Sequence, residues 1–436
     1  MRKSALSLVI VIPLLCLAGI AAYSLPPVHD KLAWRIEELR AKVQYTLHPP
    51  EQVVFVPQKQ VDANVAAIVQ ATLTARPAAA TPAPATPTAT TAARGPASTL
   101  PPPPPLTNTP TPLPGSFRLG GIVHEYQLWN NCGPATLAMN LSFWGWQGDQ
   151  KDTAAFLKPN SRDKNVMPYE MENFVTQMTG LKDLVRYGGD LQTIKAFIAA
   201  GFPIIVEKGF EGATFDGWMG HYEVVSGYDD AKSRFIVQDS YLGPNLPVPY
   251  DQMESYWRAF DFVYMIIYPA QRESEVLAIL GPQAEPAANL QYAAQKAFAE
   301  ISQLAGRDLY FAWYNRGTSL QLAQDYAGAA AAYDQAFALY PSIPQKTRPW
   351  RMLWYQTGPY FSYFQTGRYS DVIDLATKTL DASNEPVLEE SFYWRGMAKY
   401  ALGDTSGAVE DFRASVQAHP GFGPALVQLQ QLSAVP

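Results

Sequence analysis

Tyr126-Gln127-Leu128-Trp129-Asn130-Asn131-Cys132-Gly133-Pro134-Ala135-Thr136 is the stretch on which the fold of this chain turns. Pro134 suits the first turn of a helix, where its missing N–H costs nothing. Leu137, Leu141 and Trp144 follow at i, i+4 and i+7 as one apolar face, and Gly145 supplies a stop. The spacing predicts a helix that begins at Cys132. A thiol there meets unpaired N–H groups and the positive end of the helix dipole, which lower its pKa from a free value of about 8.5. The same N–H groups can receive a tetrahedral oxyanion. Gln127, five residues earlier, offers a side-chain amide donor to that anion.

A thiolate nucleophile needs a base, and the chain has only five histidines: His29, His48, His124, His221 and His419. His221 starts an alternating run to Tyr228; a turn signal follows at Asp229–Ser233, then a second run from Arg234 to Tyr241. Folding this hairpin about residue 230 sets His221 opposite Asp239. A centre one residue later sets Asp239 on the diagonal. Both residues share parity, so either register leaves them on one face within side-chain reach. A base with an orienting carboxylate is the second half of a Cys-His-Asp triad. Trp129 and Trp218, beside the motifs, and Gly220 are candidate substrate-cleft residues. Trp144 and Trp146 read as core, and His124 as structural or at the cleft rim. The glycine-rich stretch Gly209–Gly220 reads as a loop able to move over the cleft.

Gln127-x4-Cys132-Gly133-Pro134, Gly220-His221-Tyr222 with Gly227-Tyr228-Asp229, and Gln238-Asp239-Ser240 resemble the C39-like peptidases of the papain-like cysteine peptidase superfamily. The resemblance spans about residues 115–270, with three motifs in family order. It implies an α+β head, a helix carrying Cys132 packed on an antiparallel sheet. It also implies Cys132 as nucleophile, His221 as base, Asp239 as orienter and Gln127 as oxyanion residue. The better-known members are fused to ABC transporters and cut leader peptides after a double glycine. This chain has one hydrophobic segment and no Walker A sequence, so that exporter role is not carried over.

The whole chain has 436 residues, 37 prolines, two cysteines and a net charge of −6. With no long basic run, the electrostatic footprint of a nucleic-acid binder is missing. Two cysteines supply neither a disulfide scaffold nor a four-thiolate zinc knuckle. Residues 5–25 form an uncharged run behind Arg2 and Lys3, long enough to span a bilayer as a signal anchor. A cleaved signal peptide, with a weak site at Gly19-Ile20-Ala21, is the alternative. Either way the remainder is expected outside the cytoplasm. After a juxtamembrane segment (26–71), residues 72–115 contain 13 Pro, 11 Thr and 10 Ala with no acid. Such composition buries too little apolar surface to fold and reads as a disordered stalk. The head is assigned to 116–270 and a helical region to 283–436.

In that helical region, Trp313, Gly317, Asp325, Tyr326, Ala329, Tyr333, Ala336 and Pro341 fit the 34-residue tetratricopeptide pattern. Gly367-Arg368-Tyr369 with Leu375 marks a second, degenerate copy. Phe392, Gly396, Gly403, Ala408, Phe412 and Pro420 mark a third. The region resembles an all-α tetratricopeptide solenoid, which implies a groove for peptides or partner proteins. The expected function is a membrane-tethered, extracytoplasmic thiol peptidase acting on a peptide or protein substrate, without metal or organic cofactor. The alternatives are a catalytically silent surface scaffold and an amidase or transpeptidase acting on cell-wall peptides.

Overall fold

The computed structural model describes residues 112–211, 217–383 and 385–435, and isolated positions nearer the N-terminus (19, 21, 23, 35, 36, 39, 40, 43, 46, 47, 55 and 57). The expected anchor and stalk lie outside the described residues, apart from 19, 21, 23 and 112–115. Among the described residues, no helix is long and apolar enough to cross a membrane.

The head begins with β1 (Ser116–Arg118), then α1 (Cys132–Phe143), α2 (Gln150–Leu157) and α3 (Pro168–Met178). It continues through β2 (Lys182–Arg186), α4 (Leu191–Ala199), β3 (Ile204–Glu211), β4 (Trp218–Asp229), β5 (Arg234–Asp239) and β6 (Gly243–Pro249). The last elements are α5 (Tyr250–Trp257), β7 (Tyr264–Tyr268) and α6 (Glu273–Leu280). The strands form one antiparallel sheet in the order β2-β7-β3-β4-β5-β6, with β1 paired to β4. The sheet is covered on both faces, which explains the unbroken apolar run Ile204-Ile205-Val206. Ile205 packs with Leu137, Met139 and Phe174 from α1 and α3, while Ile204 and Val206 pack with Phe197 of α4 and Val276 of α6.

Helix α1 departs from the expected one-sided pattern. Gly133 to Leu141 are all buried, because α1 lies between the sheet and α2 and α3. It is pinned to the sheet at two points: Thr136 Oγ1 donates to the Tyr222 carbonyl at 3.0 Å, and Asn140 Nδ2 to the Pro203 carbonyl at 3.0 Å.

The helical region begins at α7 (Pro286–Ile301), followed by the pair α8 (Gly306–Leu322) and α9 (Tyr326–Leu339). A short α10 (Met352–Tyr355) leads into the pair α11 (Gly358–Gln365) and α12 (Tyr369–Asp381). The third pair is α13 (Glu389–Ala401) and α14 (Thr405–Ala418), closed by α15 (Gly423–Gln431). Gly317 shows why the repeat pattern demands a small residue there. A Cβ at that position would lie 2.6 Å from the Tyr333 ring of the paired helix.

Head and repeats share one apolar core. Trp218, Ala259, Phe260 and Val263 of the head pack with Phe311, Tyr314 and Tyr355 of the repeats. Polar groups lock the same seam. Asn315 Nδ2 donates to the Arg258 carbonyl at 2.7 Å, while its Oδ1 accepts the Asp261 N–H at 3.1 Å. Gln356 Nε2 donates to the Ala259 carbonyl at 2.7 Å, and Arg351 Nη1 to the Trp218 carbonyl at 2.8 Å. The Asp261 N–H and the Trp218 carbonyl are buried backbone groups, so losing their partners would leave unsatisfied atoms costing roughly 1–3 kcal/mol each.

Candidate functional site

Cys132 is the first residue of α1 and is half-buried. The turn before it is built by short-range polar bonding. Asn130 adopts φ 52°, a left-handed conformation that asparagine tolerates better than most residues. Lys158 Nζ donates to the Asn130 carbonyl at 2.8 Å and to Asn131 Oδ1 at 3.4 Å. Asn131 Nδ2 in turn donates to Gln150 Oε1 at 3.4 Å. Asn131 is the N-cap residue, yet its side chain, held by Lys158 and Gln150, makes no cap hydrogen bond to α1. The first-turn N–H groups of Cys132 and Gly133 are thus left without a side-chain cap, as an anion site at a helix N-terminus requires.

His221 and Asp239 meet as the hairpin predicts. Val224 pairs with Gln238 and Val225 with Val237, which is the diagonal register; a bulge between Val225 and Gly227 shifts the remainder. His221 Nε2 lies 3.0 Å from Asp239 Oδ1, leaving the other ring nitrogen for the thiol. The carboxylate is heavily anchored: Asp239 Oδ1 also accepts the N–H groups of Tyr241 and Leu242 at 2.8 and 2.9 Å. His124, expected at the rim or in a structural role, has Nε2 3.0 Å from the Asp239 carbonyl oxygen. Gln127 is fixed on the same segment. Its N–H donates to the Ser240 carbonyl at 2.8 Å, and its Oε1 accepts from Ser240 Oγ at 2.9 Å. With the amide oxygen held, the NH2 end is the free end of the Gln127 side chain.

Burial alone would raise the Cys132 thiol, but the hydrogen bond and charge of His221 outweigh it, with help from Lys158, and its pKa is lowered. Burial would likewise depress His221, yet the Asp239 carboxylate and the thiol raise it to about 10. Asp239 is held well below the usual carboxylate range, since His221 and Lys208 more than offset its desolvation. These shifts, a lowered thiol beside a raised imidazole, favour a thiolate–imidazolium pair. Such a pair can attack an electrophilic carbonyl and then protonate the leaving group.

Trp218, expected at the cleft, is buried away from it, and Gly220 is covered by the repeats. Alternation along β4 sends both to the face opposite His221, the face on which α1 packs. Trp218 is 2% exposed and stacks on Phe260 with centroids 5.7 Å apart, in the seam with the repeats. Gly220 lets Phe260 and Tyr355 approach, where a Cβ would sit 2.6 Å from the Phe260 ring. The ends of the expected Gly209–Gly220 loop are paired strand, Gly209 with Gly220 and Glu211 with Trp218; residues 212–216 lie outside the described residues. Trp129 sits half-buried in the turn before Cys132.

Residues 121–265 match the model of the Peptidase_C39 like family, and residues 311–342 and 390–421 match tetratricopeptide repeat models. The head is a C39-like peptidase domain. The tetratricopeptide matches fall on the first and third helix pairs, α8–α9 and α13–α14. No curated protein matches the chain. One similar solved structure is that of a protein described as a C39-like peptidase from Bacillus anthracis. It is 16% identical with a TM-score of 0.30, covering 35% of this chain and 96% of that one. Another is a double glycine motif protease from an AMS/PCAT transporter in complex with the leader peptide. It is 18% identical with a TM-score of 0.27, covering 35% of this chain and 95% of that one.

Several residues of the C39-like domain's polar site carry no signal in the sequence. Phe210 stacks on the His221 ring at 4.9 Å, with Tyr241 against Phe210 at 5.6 Å, so aromatic surface rather than water covers the imidazole. Lys208 pairs with His221 in register and forms a buried ion pair with Glu223 at 2.6 Å. Gln150 accepts the Leu128 N–H at 2.7 Å and donates to the Tyr126 carbonyl at 2.8 Å, bracing the loop that carries Gln127. Strand alternation on β3 would have placed Lys208 and Phe210 beside His221 once its pairing was known. Lys158 and Gln150 depend on helix packing that no local pattern encodes.

Proposed function

We propose that this chain is a thiol peptidase of the C39-like kind, held outside the cytoplasm at a membrane. Cys132 attacks the substrate carbonyl, His221 carries the proton to the leaving amine, and Asp239 holds the imidazole. Gln127 Nε2 and the Cys132 N–H receive the oxyanion, and water releases the acyl group. The observation that carries this assignment is the His221–Asp239 bond of 3.0 Å beside a lowered thiol at an uncapped helix start. Tethering rests on sequence: the uncharged run 5–25 behind two basic residues and the Pro/Thr/Ala stalk 72–115.

The repeats do two things in this proposal. They hold the C39-like domain through the shared core, and they offer apolar grooves to peptide segments. Support for the second comes from Phe55 of the juxtamembrane segment, which is buried among Tyr310, Phe337 and Leu375 and sits edge-on to Phe337 at 5.0 Å.

Iodoacetamide labelling near pH 6 tests the nucleophile. Cys132 should label much faster than a model thiol, and His221→Ala should abolish the advantage. A Cys132 that labels no faster than a model thiol sinks the assignment and leaves the silent-scaffold alternative. A substrate screen with Cys132→Ala as control then separates peptide hydrolysis from amidase or transpeptidase chemistry.

A further inference from the structure

Where the third repeat meets the head, three side chains from distant parts of the chain converge. Asp163 lies in the connection between α2 and α3, Glu389 is the first residue of α13, and His419 is the C-cap residue of α14. One donor atom from each lies within 4.8 Å of the other two. His419 Nδ1 is 3.5 Å from Asp163 Oδ2 and 3.5 Å from Glu389 Oε1. Neither Asp163 Oδ2 nor His419 Nδ1 has a hydrogen-bond partner, although Asp163 is only 2% exposed. A buried carboxylate oxygen whose ion-pair partner is an imidazole nitrogen 3.5 Å away, too far for a strong hydrogen bond, needs an explanation.

The spacing supplies one. Donors 3.5 Å apart are too distant for strong hydrogen bonds. They do match the edge of a tetrahedron, about 3.4 Å, around a metal with ligand distances of about 2.1 Å. The surrounding charge argues the same way. Two more acids lie at the same seam: Glu390 follows Glu389 and accepts from Tyr169 Oη at 3.3 Å, and Glu170 Oε2 accepts the Met167 N–H at 2.7 Å. Asp163 feels three cations, His419, Lys158 and Lys164. Lys158 is already committed to the Asn130 carbonyl and Asn131, and Lys164 also faces Glu385. Burying two carboxylates against a single imidazole costs several kcal/mol per ion, which a divalent charge offsets.

We propose that Asp163, Glu389 and His419 bind a first-row divalent cation, with Zn2+ as the type, and so clamp the third repeat to the Asp163 loop. One imidazole with two carboxylates suits Zn2+ better than Ca2+, which takes oxygen ligands only. The clamp reaches the head's thiol through one residue, because Asn130 Nδ2 donates to the Asp163 carbonyl at 3.3 Å. The site is separate from Cys132, and it stands or falls independently of the proposed peptidase activity.

The test uses the full-length chain in detergent with Cys132→Ala, so that the thiol cannot recruit metal. After chelator treatment, calorimetric titration with Zn2+ and elemental analysis should give one ion per chain, with a rise in the thermal midpoint. His419→Ala and Asp163→Asn should each weaken binding at least about tenfold. No stoichiometric uptake, or uptake unchanged in both variants, overturns the proposal and leaves His419 as a buried imidazolium. Should the variants not fold, diethylpyrocarbonate modification of the Cys132→Ala chain decides without them. Zn2+ should protect His419, located by peptide mass, and equal modification with and without Zn2+ overturns the site.

Discussion

At Cys132 and at Asp163 the chain buries the same kinds of polar group in opposite proportions. In the first cluster His221 stands between Cys132 and Asp239, and Lys208 forms an ion pair with Glu223 and lowers Asp239, so acids and bases alternate. In the second, Asp163 and Glu389 face one imidazole, His419, with Glu390 next in the chain. A balanced network can be closed by its own side chains and then poises a nucleophile. An acid-rich one is eased by a cation from outside the chain, which is what the proposed metal would supply.

The largest effect is expected from breaking the balance of the first cluster. His221→Ala removes both the base and the charge that lowers the thiol, so kcat/KM on any cleaved peptide should fall about 10⁴-fold. The pH profile checks the cause. Wild-type alkylation should rise through the lowered thiol pKa and hold until His221 titrates at about 10. The imidazolium's contribution to stability follows the same sign. It is fully present below the unfolded value of about 6.5 and is lost as pH rises through about 10. In His221→Ala burial is opposed only by Lys158 and a backbone bond, so the thiol should titrate no lower than the ordinary value of about 8.5. A mutant that alkylates with the wild-type profile would show that the pair is not the source of the lowered thiol.

Trp218→Ala sharpens the contrast between the two faces of β4. Trp218 fills the seam against Phe260 and Tyr355. Its truncation should cost about 3–5 kcal/mol of stability, read as a lower urea midpoint. The alkylation rate of the folded fraction should not change. A Trp218→Ala protein of normal stability with impaired substrate turnover would return this residue to the cleft. Gln127→Ala should do the reverse and lower kcat by about 10²-fold, since one oxyanion donor is lost. Its thiol should alkylate at the wild-type rate, because alkylation of a thiolate forms no oxyanion.

The same contrast explains what the sequence made legible. The helix start at Cys132 and the hairpin joining His221 to Asp239 are short-range patterns, so periodicity and turn chemistry place them. Gln127 needs only its five-residue distance from Cys132. Trp218 was misplaced because nearness in sequence to His221 hides the docking of the repeats, which buries it against Phe260 and Tyr355. The two outer repeats are legible through their small-residue and aromatic positions, yet nothing in them announces that Phe311 of the first, with Arg351 and Gln356 of the connection after it, would grip Trp218 and Ala259. The Asp163 cluster is illegible for a stronger reason. Its three donors come from a loop, a helix start and a helix end in two domains, and only the docking of those domains brings them together.

Lys158 belongs to both clusters and gives the smallest predicted effect. Burial lowers its pKa to about 8, against the opposing pull of Asp163 and Cys132. It is therefore charged at neutral pH, where it adds to the field that lowers the thiol. Its Nζ also closes the Asn130–Asn131 turn. In Lys158→Met the charge is gone while most of the aliphatic stem remains, so the thiolate loses one favourable neighbour. The acid limb of the alkylation profile should move to higher pH by less than about one unit, because His221 supplies the larger share. Loss of the turn contacts would act differently, slowing alkylation at every pH without moving the limb. A uniform loss would assign Lys158 to the geometry of the turn. A shifted limb would make it the residue through which charge at the Asp163 seam is felt by the thiol of the head.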